Sequence, residues 1–190
     1  MIRRFFVIFA IGLLFLYIEL NLFTLMTLLA AVVHEVGHFV AIRGCGTGVK
    51  QVKILGVGAD IRLTGRLLSY KKSLVIALSG VIANFLLAVV FFWVAEVGSY
   101  GHFFAIYNLM LGAFNLFPIK SLDGGEALAC LLYMGLPISA AEKIAATVSN
   151  IALFLLWTLS VYLLIWNIGR VSLLLLCGYL FLNIEFRQLK

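Results

Sequence analysis

The chain predicts an all-α polytopic membrane protein of about six transmembrane helices, with a small β-hairpin between the second and third. Two observations carry this expectation. Of 190 residues, 64% are hydrophobic and only 12% charged, against roughly half and a quarter in ordinary soluble domains. The basic residues also gather beside apolar runs instead of being spread through them, the pattern that sets orientation in a bilayer. That flanking arrangement accounts for the formal charge of +6, so no nucleic-acid partner is expected. Cys45, Cys130 and Cys177 are widely spaced and in no paired motif, which speaks against both a disulfide framework and a thiolate metal site.

The first span is expected from about Ile2 to Ile18. Arg3 and Arg4 precede it and no small-residue cleavage site follows, so it reads as a retained anchor. Glu19 and Asn21 mark the turn into a second span, about Leu22 to Ile42. In the connector Val49 to Leu63, Val57, Ala59, Ile61 and Leu63 alternate with Gly58, Asp60 and Arg62. That period of two predicts strands, with an irregular basic loop on the lipid headgroups as the competing reading. A third span is expected from about Ser73 to Val97, and a short fourth from about His102 to Phe117, stopped by Pro118. A fifth covers about Ser139 to Ile165, and a sixth about Val171 to Phe186.

Orientation follows from the basic residues. Arg43, Lys50, Lys53, Arg62, Arg66, Lys71 and Lys72 lie between the second and third spans against a single acid, Asp60. Arg3, Arg4, Lys120, Lys143, Arg187 and Lys190 fall on the same side under a six-span layout, and only Arg170 falls opposite. Both termini are therefore expected to be cytoplasmic.

Chemistry enters at His34-Glu35-Val36-Gly37-His38, in the last two turns of the second span. On a helix the two imidazoles lie one above the other. Glu35 stands about 100° round from His34 and about 60° from His38, so all three share one sector. An unpaired carboxylate within an apolar span costs about 2.5–3.5 kcal/mol on insertion scales, and a divalent cation offsets that cost. A catalytic metal site also needs a third protein ligand and an open position. His102, Glu19 and Glu96 belong to the opposite side of the membrane. Asp123 belongs to the correct side, after Pro118 has interrupted the fourth helix. Broken backbone at membrane depth is tolerated chiefly where it lines an enclosed cavity. Asp123-Gly-Gly-Glu126 also has the spacing of an N-cap with an acid at N3, opening a helix over Ala127 to Met134. From this segment alone, capping and ligation stay equally open.

His34–His38 on the second span, with Asn115-Leu-Phe-Pro118-Ile-Lys-Ser-Leu-Asp123-Gly-Gly125 after the fourth, resemble the paired motifs of the site-2 proteases, the intramembrane zinc metalloproteases. A single span before the first motif resembles the subgroup of the stage IV sporulation protein FB. The resemblance runs from about Phe5 to Leu132 by motif order. It implies Zn2+ held by His34, His38 and Asp123, with Glu35 as the catalytic carboxylate. It further implies Asn84 and Asn115 as substrate-binding or oxyanion residues, although each amide could equally satisfy carbonyls of a broken helix. The implied setting is the lipid bilayer of the bacterial inner membrane. The implied substrate is a membrane-associated regulator, a pro-sigma or anti-sigma factor, cleaved by regulated intramembrane proteolysis as in sporulation. Regulatory membrane proteins are the further partners it implies. One metalloprotease domain over residues 1–190 is expected, without the PDZ or CBS domains that many relatives append. Leu116 and Val81 stand where many relatives carry proline, and Glu126 where an arginine is common. A polytopic metal transporter and a non-catalytic zinc-binding scaffold are the competing function classes. A different membrane peptidase with the same histidine motif would recruit a glutamate, Glu126 or Glu142, as third ligand.

Overall fold

In a computed structural model, the described residues are 22–46, 48–54, 59–64, 69–166 and 174–181. Helix α1, Leu22–Gly44, is apolar along its length and contains no proline. It stops where Gly46 adopts φ +70°, and the N–H groups of Cys45 and Gly46 fold back onto the carbonyls of Ala41 and Arg43 at 2.9 and 3.0 Å. Only glycine enters that left-handed turn without strain. Arg43, in the last turn, lies 4.8 Å from the centre of the Phe39 ring, its charge matched to the negative helix end.

Strands β1, Gly48–Ile54, and β2, Ala59–Thr64, then pair antiparallel, with Val52 opposite Ile61 and a register shift between Val49 and Gln51. The link between them, residues 55–58, lies outside the described residues.

Helix α2, Tyr70–Val94, opens with Ser69 Oγ accepting from the Lys72 N–H at 3.4 Å, and α3, Tyr100–Asn115, with Ser99 Oγ accepting from the His102 N–H at 3.3 Å. Both are hydroxyl N-caps. Helices α4, Asp123–Gly135, and α5, Ile138–Ile165, complete the labelled elements; residues 174–181 are helical as well.

Among the described residues three helices are long and apolar enough to cross a membrane: Thr24–Gly44, Tyr70–Val94 and Ile138–Ile165, of 21, 25 and 28 residues. They correspond to the second, third and fifth expected spans. The expected fourth span is α3, which at 16 residues falls short of the roughly 20 that a perpendicular crossing requires. The expected first span, and the sixth apart from residues 174–181, lie outside the described residues.

The chain divides into two compact units, one formed by residues up to Leu67 with Ser79–Ala113, the other by Leu68–Leu78 with Phe114 onward. In the first, small residues bring helices close. A Cβ on Gly37 of α1 would lie 2.7 Å from the Ser79 carbonyl and 2.9 Å from Ala83 Cβ, both on α2. One on Gly112 of α3 would lie 2.7 Å from the Phe85 ring. Without a solvent-driven hydrophobic force in lipid, such close approach is how helices associate. In the second unit, Ile119, Leu122, Leu153, Leu156, Cys177 and Leu180 form the core. Tyr70 and Tyr133 pack with ring centroids 5.1 Å apart. The turn at Pro118 is tied down within this unit, the Lys120 N–H donating to Ser149 Oγ at 2.9 Å.

Candidate metal centre

Helical spacing alone places His34 and His38 on one face, and the structure turns their rings toward each other. Their Nε2 atoms are 3.2 Å apart, with ring planes at 84°. Two imidazole nitrogens bound to one zinc at about 2.0–2.1 Å on a tetrahedron would stand about 3.3–3.4 Å apart. Facing them across α2 is Gly80, where a Cβ would lie 2.5 Å from His38 Nε2 and 2.9 Å from His34 Nε2. The two inward nitrogens come this close to α2 because residue 80 has no side chain.

The outer nitrogens are engaged. His38 Nδ1 lies 3.3 Å from Ser79 Oγ, and His34 Nδ1 lies 2.7 Å from Asn84 Oδ1. A carbonyl oxygen only accepts, so His34 Nδ1 carries the proton and its Nε2 presents a lone pair. Metal-ligating histidines are held in this way, which fixes both tautomer and ring orientation. His34 is 7% exposed and Asn84 fully buried.

Asn84, to which the resemblance gives a substrate or oxyanion role, is engaged here with protein partners. Its Nδ2 donates to the Ala30 carbonyl at 3.1 Å and to Asn108 Oδ1 at 2.9 Å. Both of its amide hydrogens are used, and its carbonyl faces His34. Asn115 ends α3, half-buried.

Asp123 is not an N-cap. Helix α4 begins at Asp123 itself, Leu122 takes the cap position in extended conformation, and no side chain caps the helix. The helix thus starts four residues before the expected Ala127. Asp123 is half-buried, whereas Glu126 and Glu142, the rival carboxylates, are exposed. Burial and the nearby Glu126 charge push the Cys130 thiol up to about 11, so it stays neutral and is a poor ligand at neutral pH. His102 packs against the Phe92 ring. Among the described residues, His34, His38 and Asp123 are the group that could hold a metal ion, each offering one ligand atom. Two imidazoles and a carboxylate, with Glu35 next in sequence, suit a divalent cation with an open position.

The sequence profile of peptidase family M50 matches residues 22–101 and 95–159 of the chain. The chain belongs to peptidase family M50. The zinc metalloprotease MJ0392 of Methanocaldococcus jannaschii is 24% identical over 171 residues, covering 86% of this M50 chain and 48% of its own length. The chain thus spans about half of that curated relative. A solved site-2 protease from Methanocaldococcus jannaschii shares the fold, with a TM-score of 0.67 at 21% identity, covering 95% of this chain and 86% of that one.

Three residues of this M50-family chain escaped sequence reasoning in their structural roles: Ser79, Gly80 and Asn108. A signal existed for Asn108, a primary amide in the middle of an apolar helix, where polar groups are seldom idle. Nothing local marks Ser79 or Gly80, whose importance comes from what α1 brings against them.

Proposed function

We propose that this M50 chain is an intramembrane zinc metalloprotease that hydrolyses a peptide bond in or near the transmembrane segment of a membrane-associated regulator. A pro-sigma or anti-sigma factor fits the resemblance to the stage IV sporulation protein FB subgroup. The proposal includes a six-span arrangement in the bacterial inner membrane, with both termini cytoplasmic. The observation that carries it is the pair of inward nitrogens at 3.2 Å, set against Gly80 within an apolar helix.

His34, His38 and Asp123 would hold the zinc. When bound, zinc supplies a Lewis acid for the scissile carbonyl and brings the pKa of water down to about 7. Glu35 is the proton carrier: its carboxylate takes the proton from the attacking water and later delivers it to the leaving amine. Asn84 keeps His34 in its ligating tautomer, and Asn115 remains the amide proposed to hold substrate. A helical substrate hides its carbonyls in its own hydrogen bonds, so it must unwind locally before Glu35 can act.

Co-expression with candidate tagged substrates, read by product formation and by zinc content of the purified protein, tests the proposal. Glu35→Gln should retain zinc and yield no product, since the amide cannot accept the proton. Asp123→Asn should lose both, whereas Glu126→Gln and Glu142→Gln should keep both. Product formed by the Glu35→Gln variant would return the protein to the transporter or scaffold classes.

A further inference from the structure

Asn84 can serve His34 only if its amide faces the right way, because its two ends are nearly the same shape. Reversed, its NH2 would point at His34 Nδ1, which would then have to present a lone pair. The proton would move to Nε2, the nitrogen that must ligate. Nothing in His34 itself prevents this. The direction is imposed from the other side, where two acceptors meet Asn84 Nδ2: the Ala30 carbonyl at 3.1 Å and Asn108 Oδ1 at 2.9 Å.

Asn108 has the same ambiguity, and it is resolved one step further out. Its Nδ2 donates to the Phe104 carbonyl of its own helix at 2.9 Å. A backbone carbonyl cannot donate, so it fixes Asn108 with the oxygen toward Asn84. The order therefore runs from a backbone carbonyl on α3, through two amides, to an imidazole on α1. Both asparagines are fully buried, leaving no solvent to satisfy a reversed arrangement.

We infer that Asn108 is a positioning residue for His34, acting through the amide of Asn84 to keep the proton off the metal-facing nitrogen. Its own hydrogen bonds go to Asn84 and the Phe104 carbonyl, and it has no part in the chemistry. The inference rests on the reading of His34 as a zinc ligand.

The test is zinc affinity of the full-length protein in detergent, by competition with a chromogenic chelator, with the visible spectrum of the Co2+-substituted protein as a second readout. Asn108→Leu leaves one Asn84 hydrogen without a partner and only the Ala30 carbonyl to hold the amide's direction. Zinc affinity should fall by about 10–100-fold, the usual effect of losing a group that supports a ligand. The double variant Asn84→Asp/Asn108→Leu decides the cause. A carboxylate accepts at either oxygen, so it cannot be turned the wrong way, and carboxylate–histidine–zinc arrangements are common. Affinity and the Co2+ spectrum should return toward wild type in the double variant.

Both variants lose the Asn108 side chain, so a packing defect would weaken both alike, and the absence of rescue overturns the inference. Unchanged affinity in Asn108→Leu overturns it as well, with the metal reading intact. Failure of the wild type to bind zinc overturns the metal reading itself and this inference with it.

Discussion

A Cβ on Gly80 would approach His38 Nε2 to 2.5 Å and His34 Nε2 to 2.9 Å, closer than carbon and nitrogen tolerate without bonding. Alanine at 80 should therefore obstruct both inward nitrogens at once. The zinc affinity of Gly80→Ala, measured against a chelator, should fall further than the about 10–100-fold lost with a supporting group. Gly135→Ala is the control, because a Cβ there meets nothing within 4 Å. Full zinc binding by Gly80→Ala would mean that the nitrogens do not coordinate on the Gly80 side. Legibility at this scale divides by distance along the chain. His34, Glu35 and His38 were readable because helical spacing alone relates them. The tasks of Gly80, Asn84 and Asn108 were not, because each depends on which helix lies opposite. Asn84 was noticed in the sequence, but two tasks stayed open to it for that reason: an amide in an apolar helix does not announce its partner.

At the scale of elements, Asp123-Gly-Gly-Glu126 shows how a local pattern can mislead. Its spacing suits a capping box, yet the helix begins at Asp123, with the Gly125 and Glu126 N–H groups turned onto the Leu122 carbonyl at 3.1 and 3.2 Å. The glycines answer to a tertiary demand, since a Cβ on Gly124 or Gly125 would fall onto the carbonyl of Leu116 or Ile119. That approach allows the turn after Pro118 to fold back against α4, and no window of sequence contains it. Among the described residues, the strand pair is the element with an open edge. Two strands satisfy each other on one side only, and the other side of each is where a further strand can pair. An unwound substrate segment could pair there as an added strand. Proline at Ile61, which stands opposite Val52, would remove a donor and spoil the ladder. Ile61→Pro should therefore cut cleavage of a tagged substrate strongly while leaving zinc content at wild-type level. Unchanged cleavage would remove the strand pair from substrate handling.

For the whole molecule, the distribution of polarity is inverted relative to a soluble protein. His34, Asn84 and Asn108 are buried, while Trp93, Val94, Val97 and Leu86 are 86, 79, 89 and 63% exposed. A helix apolar all round gives no sign of which face turns inward. Composition could therefore announce a membrane protein, and the limits of the second, third and fifth expected spans could be drawn within a few residues, without revealing how the helices pack. Charge yields a prediction at this scale because it acts through position alone. The segment between the second and third expected spans holds Arg43, Lys50, Lys53, Arg62, Arg66, Lys71 and Lys72 against Asp60, a bias that predicts a cytoplasmic placement. The C-terminus then depends on how many crossings follow. Crossings by Tyr70–Val94, α3, Ile138–Ile165 and a final segment return it to the cytoplasm; without a crossing by α3 it would end outside. Alkaline phosphatase, active only outside the cytoplasm, separates these cases when fused at successive points. Fused after Lys190 it should be inactive, and fused beside Arg170, between the last two expected spans, it should be active. Activity at Lys190 would show an odd number of crossings after the basic segment, and would remove the six-span arrangement while leaving the metal centre untouched.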